Sequence, residues 1–313
     1  MRLTVIGCSG SYPGPDNPAS CYLLEADGFR LVVDMGNGGL GALQKYIGLF
    51  DVDAVALSHL HADHCVDLYS YAIARTYTLE GAKPPIPVYA PAGARERLAG
   101  IHGPGDGGNV LDRFRYETLS PGKLEIGPFE VATARMNHPV ETYGLSFSHD
   151  GASIAYSGDT GETGELLGLA RDVNVLLCEA SFTERPGLPG DLHLTSRQAA
   201  DYAQRAETGG LLLTHLQSWV QPEVSLAEAA AAYSGGLDLA RPGQVLELLF
   251  PKGAVFSQRG FAPFRIPDWG TYPVPQTPWG RPFGPPARTC GAPVGWCPCH
   301  QDQTDVPLTR CAP

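Results

Sequence analysis

The chain predicts a layered α/β sandwich, on three observations. Several short strand patterns are apolar at consecutive positions, among them Val52-Asp53-Ala54-Val55-Ala56-Leu57 and Val173-Asn174-Val175-Leu176-Leu177, so both faces of their sheets need cover. In each half of the first 250 residues, strand patterns come first and helical patterns after. Histidines and carboxylates gather where the apolar runs stop, which is where open α/β sheets place their sites.

Taken in order, the strand pattern Leu3–Ile6 runs into Gly7-Cys8-Ser9-Gly10-Ser11-Tyr12-Pro13, whose small residues and proline make a tight turn. Ser20–Glu25 and Arg30–Asp34 are the next β-rich runs, followed by a helical pattern near 39–48. Ala54–Ser58 precedes a helix near 66–79, and Pro87–Tyr89 precedes one near 92–100. The second half carries strand patterns at Phe129–Ala134, Gly144–Ser148, Ser153–Tyr156, Asn174–Cys178, Leu211–Thr214 and Val245–Leu249. Its helices are expected near 163–170, 196–206 and 226–234, with Ser196 as the N-cap of the second.

Composition divides the chain into a catalytic body of residues 1–250 and a tail of 251–313. Thirteen of the 28 prolines and three of the four tryptophans lie beyond Phe250, with no apolar period for a helix or strand to use. The tail reads as a disordered, proline-rich extension; Cys290, Cys297, Cys299, His300 and Cys311 lack the Cys-x-x-Cys knuckles of a zinc knot. The formal charge is −11, and the tail, with six basic and three acidic residues, leaves the body at −14. A body this acidic lacks the basic stripe that grips a phosphate backbone, which counts against long nucleic acids and anionic membranes as partners. The N-terminal apolar run is too short for a signal peptide and no span could cross a bilayer, so a cytoplasmic protein is expected. Cys8, Cys21, Cys65 and Cys178, spread singly, fit reduced and buried thiols.

Six of the nine histidines fall into short strings: Ser58-His59-Leu60-His61-Ala62-Asp63-His64, Asn137-His138-Pro139, Leu192-His193-Leu194 and Thr214-His215-Leu216. His59 and His61, two apart after a strand, project to one side in extended backbone, and Asp63 and His64 follow in the turn before the next helix. Four such groups in six residues can face two cations at once. His138 is held extended by Pro139, Asp159 sits in Ser157-Gly158-Asp159-Thr160-Gly161 after a strand, and His215 caps an apolar one. Each of those three alone would be an ordinary surface, turn or core residue. Asp34, at another strand end, suits either an orienting role toward an imidazole or a structural one. His102, His149 and His300 fit no pattern and read as surface residues.

At these residues the chain resembles the metallo-β-lactamase-fold hydrolases, whose His-x-His-x-Asp-His signature is matched by His59, His61, Asp63 and His64. His138, Asp159 and His215 stand in the order of that superfamily's third histidine, bridging aspartate and last histidine. The resemblance covers about 1–250 and implies a four-layer αββα sandwich, two mixed β-sheets flanked by helices. It also implies two divalent ions, zinc first, with manganese or iron as alternatives. One would be held by His59, His61 and His138, the other by Asp63, His64 and His215, with Asp159 shared. Two ions about 3.5–4 Å apart can bring a shared, bridging water to a pKa near 7 and polarise the attacked group. Asp63 could accept that water's proton.

Cys178-Glu179-Ala180-Ser181-Phe182, with Asp191-Leu192-His193-Leu194-Thr195, is similar to the glutamate and histidine loops of the ribonuclease Z-like branch. The resemblance implies that Glu179 orients His193 and that His193 protonates a leaving oxygen, because an alkoxide leaves poorly without a proton. The opening glycine loop resembles that branch too, as a weak phosphate cradle. One departure narrows the substrate: only twenty residues separate His138 from Asp159, too few for the long basic arm with which that family clamps transfer RNA. Together with Asp34-Met35-Gly36-Asn37-Gly38, the strings look most like the actinobacterial cyclic-nucleotide phosphodiesterases of the superfamily. A small phosphodiester such as cAMP, cut to its 5′-monophosphate, is therefore the expected substrate, and a homodimer is possible by analogy. A tRNA 3′-processing endonuclease and a thioester, lactone or β-lactam hydrolase are the alternatives.

Overall fold

The computed structural model describes residues 1–102 and 110–248. The expectations for the tail, including disorder and the cysteine and histidine ligands from Cys290 to Cys311, lie outside the described residues, as does His300.

The first half supplies β1 (Arg2–Gly7), β2 (Cys21–Ala26), β3 (Phe29–Met35), β4 (Ala54–Ala56), β5 (Ile86–Ala90) and β6 (Phe114–Thr118), with helices α1 (Gly39–Leu43), α2 (Ala62–Thr76) and α3 (Ala94–His102). The second supplies β7 (Gly122–Ile126), β8 (Phe129–Arg135), β9 (Tyr143–His149), β10 (Ala152–Tyr156), β11 (Val175–Glu179), β12 (Gly210–Thr214) and β13 (Gly236–Leu239), with α4 (Gly164–Leu169), α5 (Ser196–Arg205) and α6 (Pro222–Ala230). A last strand, β14 (Val245–Glu247), returns to pair with β1. Two seven-stranded sheets result, ordered β14-β1-β2-β3-β4-β5-β6 and β13-β12-β11-β10-β9-β8-β7. In each, antiparallel pairs give way to parallel ones, at β3–β4 in the first sheet and at β10–β11 in the second.

The side-chain alternation of the strands explains why they looked apolar on both faces. Val5, Leu31, Val33, Phe129, Phe147, Ile154 and Leu177 point into a layer shared by the two sheets. Ile6, Val32, Val55 and Leu57 point the other way, onto Leu68, Tyr71 and Leu98 of α2 and α3. Leu176, Cys178, Leu211 and Leu213 pack on Leu166, Ala199 and Ala203 of α4 and α5. Three apolar layers between four layers of secondary structure make the αββα sandwich. Phe129 and Phe147 sit at the middle of the sheet–sheet layer, each 1% exposed; truncating either to alanine would cost about 3–5 kcal/mol.

Three strands and part of the helix register differ from the sequence expectation. β6, β7 and β13 escaped notice because they are edge-proximal, half-exposed segments such as Phe114-Arg115-Tyr116-Glu117-Thr118, with little apolar period. α2 starts at Ala62, so Asp63 and His64 occupy its first turn instead of the turn before it. The N-cap of α5 is Thr195, not Ser196: its Oγ1 accepts from Gln198 N while the Gln198 side chain accepts from Thr195 N. Among the described residues, no helix is long and apolar enough to cross a membrane.

Candidate metal centre

The topology brings the chemical groups to one edge of the sandwich. β10, β11 and β12 run parallel, and β8 runs in the same sense as β10 because both are antiparallel to β9. His138 after β8, Asp159 after β10, Glu179 at the end of β11 and His215 after β12 therefore emerge at the same end. In the other sheet β3 and β4 are parallel, and Asp34, His59 and His61 lie at or just beyond their ends. The structure thus gathers all seven residues expected to hold metal, although up to 156 positions separate His59 from His215.

Among the described residues three groups of ligand atoms form, each within 4.8 Å: His59, His61, His138 and Asp159 in the first, Asp63, His64, Asp159 and His215 in the second, and Glu179, His193 and His215 in a third. In the first, His61 Nδ1 lies 3.0 Å from His59 Nε2 and 3.2 Å from His138 Nε2. In the second, His215 Nε2 lies 3.2 Å from His64 Nε2 and 3.1 Å from Asp63 Oδ2. Asp159 divides its oxygens between them. Its Oδ2 is 3.7 Å from His59 and 4.0 Å from His138, and its Oδ1 is 3.3 Å from His64 and 3.5 Å from His215.

The hydrogen bonds on the outer side of each ring fix which nitrogen carries the proton. His64 Nδ1 donates to Asp34 Oδ2 at 2.7 Å, and His138 Nδ1 donates to the Leu192 carbonyl at 2.9 Å. Ser181 Oγ gives its own proton to the His215 carbonyl, so His215 Nδ1 donates to it at 2.8 Å. Ser58 Oγ likewise donates to Asp34, which leaves it to accept from His59 Nδ1 at 3.1 Å. The Nε2 atoms of His59, His64, His138 and His215 consequently face inward, and ring nitrogens about 3 Å apart repel unless a proton or a cation lies between them. Burial beside other imidazoles pushes His59, His61 and His138 down in pKa, toward the neutral form that ligates. Asp159 Oδ1, buried and without a hydrogen bond, is the remaining unsatisfied acceptor. These residues fit divalent cations.

Asp34 resolves toward orientation. Fully buried, it accepts from His64 Nδ1, Ser58 Oγ and Tyr156 Oη through Oδ2, and from Ser58 N through Oδ1. It holds φ +55°, and His215 holds φ +58°; two non-glycine residues in the left-handed region mark strain held in place at the site. The opening glycine loop also makes contacts that the sequence did not announce. Cys8 O accepts from His215 N, and a Cβ on Gly10 would sit 2.4 Å from the His215 carbonyl. That loop backs a candidate ligand.

Beside the two groups, His193 Nδ1 lies 2.9 Å from Glu179 Oε1 and 4.0 Å from Asp159 Oδ2. Glu179 is itself immobilised, accepting from Thr160 N at 2.8 Å and Ser181 N at 3.1 Å. Burial alone would lower the pKa of His193, but the Glu179 carboxylate, with Asp159 behind it, outweighs burial and raises it to about 9. The imidazole is then protonated at neutral pH, as an acid must be. The ring of Phe182 meets it edge-on at 5.3 Å.

Sequence reasoning missed three supporting groups. Ser58 and Ser181 stand inside the strings already quoted but were given no role there; Tyr156 reaches Asp34 from 122 residues away, and nothing local announces it. Of the histidines left over, His149 is half-buried at the end of β9, donating to the Pro128 carbonyl and 3.3 Å from Asp27, not a free surface residue. The side chain of His102 lies outside the described ones.

Fold and site together define a metallo-hydrolase: an αββα sandwich with His/Asp groups able to hold divalent metal ions along one edge. The chain belongs to the beta-lactamase superfamily, since the sequence model of the Beta-lactamase superfamily domain matches residues 30–216. It is 41% identical over 242 residues to an uncharacterized protein of Mycobacterium tuberculosis, taking in 75% of this chain and 88% of that one. The crystal structure of the metallo-beta-lactamase fold protein YhfI of Bacillus subtilis superposes with a TM-score of 0.69 at 27% identity, over 79% of this chain and 99% of that one. Ribonuclease Z of Chlamydia trachomatis is 25% identical over 279 residues, covering 69% of this chain and 87% of the relative. That alignment is longer than the part of this chain it covers, so the relative carries segments absent here.

Proposed function

We propose that this protein is a metal-dependent phosphodiesterase of small substrates, with a 3′,5′-cyclic nucleotide such as cAMP as the leading one and its 5′-monophosphate as product. The observation that carries the reading is the Glu179–His193 pair beside Asp159. Hydrolysis of a thioester has no comparable need for a protonated imidazole held by a buried carboxylate, because a thiolate leaves readily without a proton. Cleavage of a phosphodiester does, because an alkoxide must leave.

Divalent cations held by His59, His61 and His138 and by Asp63, His64 and His215, with Asp159 between, would supply Lewis acidity and acidify a water in the site. Asp63, a carboxylate in the first turn of α2, accepts the proton lost by the attacking water. As the water oxygen bonds to phosphorus, the P–O3′ bond breaks, and its electron pair takes the proton of His193. Glu179 keeps that imidazole charged and aimed.

Two features favour a small substrate. The segment between His138 and Asp159 is a hairpin closed by the turn residues Asp150 and Gly151, φ +48° and +79°, which leaves no room for an RNA-clamping arm. The acidic body, −11 over the whole chain, disfavours a polyanion. Among the described residues, four free, buried cysteines suit a reducing, cytoplasmic setting.

The test is turnover of cAMP, cGMP, bis-p-nitrophenyl phosphate, a precursor tRNA and a thioester, by protein stripped with a chelator and reloaded with zinc, manganese or iron. Metal-dependent cyclic-nucleotide hydrolysis is expected, with His193→Ala slower by roughly 10²–10⁴-fold. Activity confined to tRNA or to the thioester, or a fully active His193→Ala, overturns the reading.

A further inference from the structure

Tyr12 and Trp219 are 42% and 62% exposed, unusual for large aromatic rings. They sit on two loops latched to each other behind His215. His215 N donates to Cys8 O and Gly10 N to Leu216 O, both at 3.0 Å, and Gln217 Nε2 reaches Ser11 Oγ at 3.5 Å. Tyr12 Oη and Ser218 Oγ lie 2.5 Å apart, tying the tip of one loop to the other. The rings are 6.0 Å apart and tilted by 38°, an aromatic pair. Trp219 follows His215 by four residues, so their Cα atoms lie at most about 14 Å apart. Gln217, Ser11 and Ser218 place amide and hydroxyl groups next to the rings, both donors and acceptors.

We propose that Tyr12 and Trp219 form a nucleobase subsite, the rings stacking the base and the adjoining amide and hydroxyls meeting its edge. Aromatic stacking tolerates every base and needs no positive charge, which suits a site on an acidic protein. The subsite rests on the phosphodiesterase reading and deepens it, because it makes the ligand a nucleotide and not merely a diester.

Two readouts test it. The first is the ratio of kcat/KM for cAMP to that for ribose 3′,5′-cyclic phosphate lacking a base. The second is calorimetric binding of 5′-AMP, which needs no turnover. Trp219→Ala is expected to lower the ratio and weaken 5′-AMP each about ten-fold, equivalent to about 1.4 kcal/mol, while Trp219→Phe retains most of both. Tyr12→Ala is expected to act in the same direction. An unchanged ratio, an unchanged 5′-AMP affinity in a variant with wild-type melting, or an effect limited to the oligomeric state in sedimentation overturns the subsite. A wild-type protein that cuts both cyclic phosphates equally and ignores 5′-AMP also overturns it but leaves the phosphodiesterase reading standing. One that cuts neither removes that reading separately.

Discussion

Replacing Glu179 by glutamine separates orientation from charge at the candidate acid. The carboxylate accepts from His193 Nδ1 at 2.9 Å, Thr160 N at 2.8 Å and Ser181 N at 3.1 Å, and an amide of the same shape can keep only part of that set. With the charge removed, the main influence raising His193 is gone and burial pulls its pKa from about 9 toward or below the ordinary 6.5. A shift of about two units corresponds to roughly 2.7 kcal/mol less support for the imidazolium. The alkaline limb of the kcat profile should therefore move acid-ward by about two units, and at pH 8 turnover should drop by roughly 10–30-fold. Stability follows the same sign. A histidine raised in the fold contributes fully below its unfolded value of about 6.5 and loses that contribution as pH climbs through about 9, so the wild type should melt lower at pH 9.5 than at pH 6 by more than Glu179→Gln does. The assay is a kcat–pH series on both proteins loaded with one metal, with thermal melts across the same range. An alkaline limb in Glu179→Gln that coincides with the wild type would refute the argument.

Other perturbations reach the scaffold of the site. Asp34→Ala strands His64 Nδ1, Ser58 Oγ and Tyr156 Oη in a buried place; a loss of about 3–5 kcal/mol in denaturant unfolding and a 10–100-fold weaker metal affinity are expected, checked by chemical denaturation and metal-buffer titration. A Cβ at Gly10 meets the His215 carbonyl at 2.4 Å, so Gly10→Ala should displace His215 and lower metal content and turnover together; normal metal content would contradict the close approach.

Much of the site was legible because its chemistry is written in short strings. His59, His61, Asp63 and His64 fall within six residues, and Glu179 to Phe182 stand together, so strand-end placement and ligand type could be read locally. Asp34 was ambiguous between two roles because its three side-chain partners come from Ser58, His64 and Tyr156, none adjacent to it. The contact of the glycine loop with His215 was not legible, since a tight turn looks the same whatever it packs against. β6, β7 and β13 were invisible for a related reason: pairing partners, not apolar period, make those segments strands.

The sequence by itself determined the inventory of candidate ligands, the layered α/β class and the shortness of the segment between His138 and Asp159, all of which depend on residue type and spacing along the chain. Only the tertiary structure decided which oxygen of Asp159 serves which group of histidines, which nitrogen of each ring is turned inward, and that Tyr12 and Trp219 meet beside His215. Those depend on groups far apart in the chain being set within a few ångströms by strand ends that share one edge, and no local pattern encodes that distance.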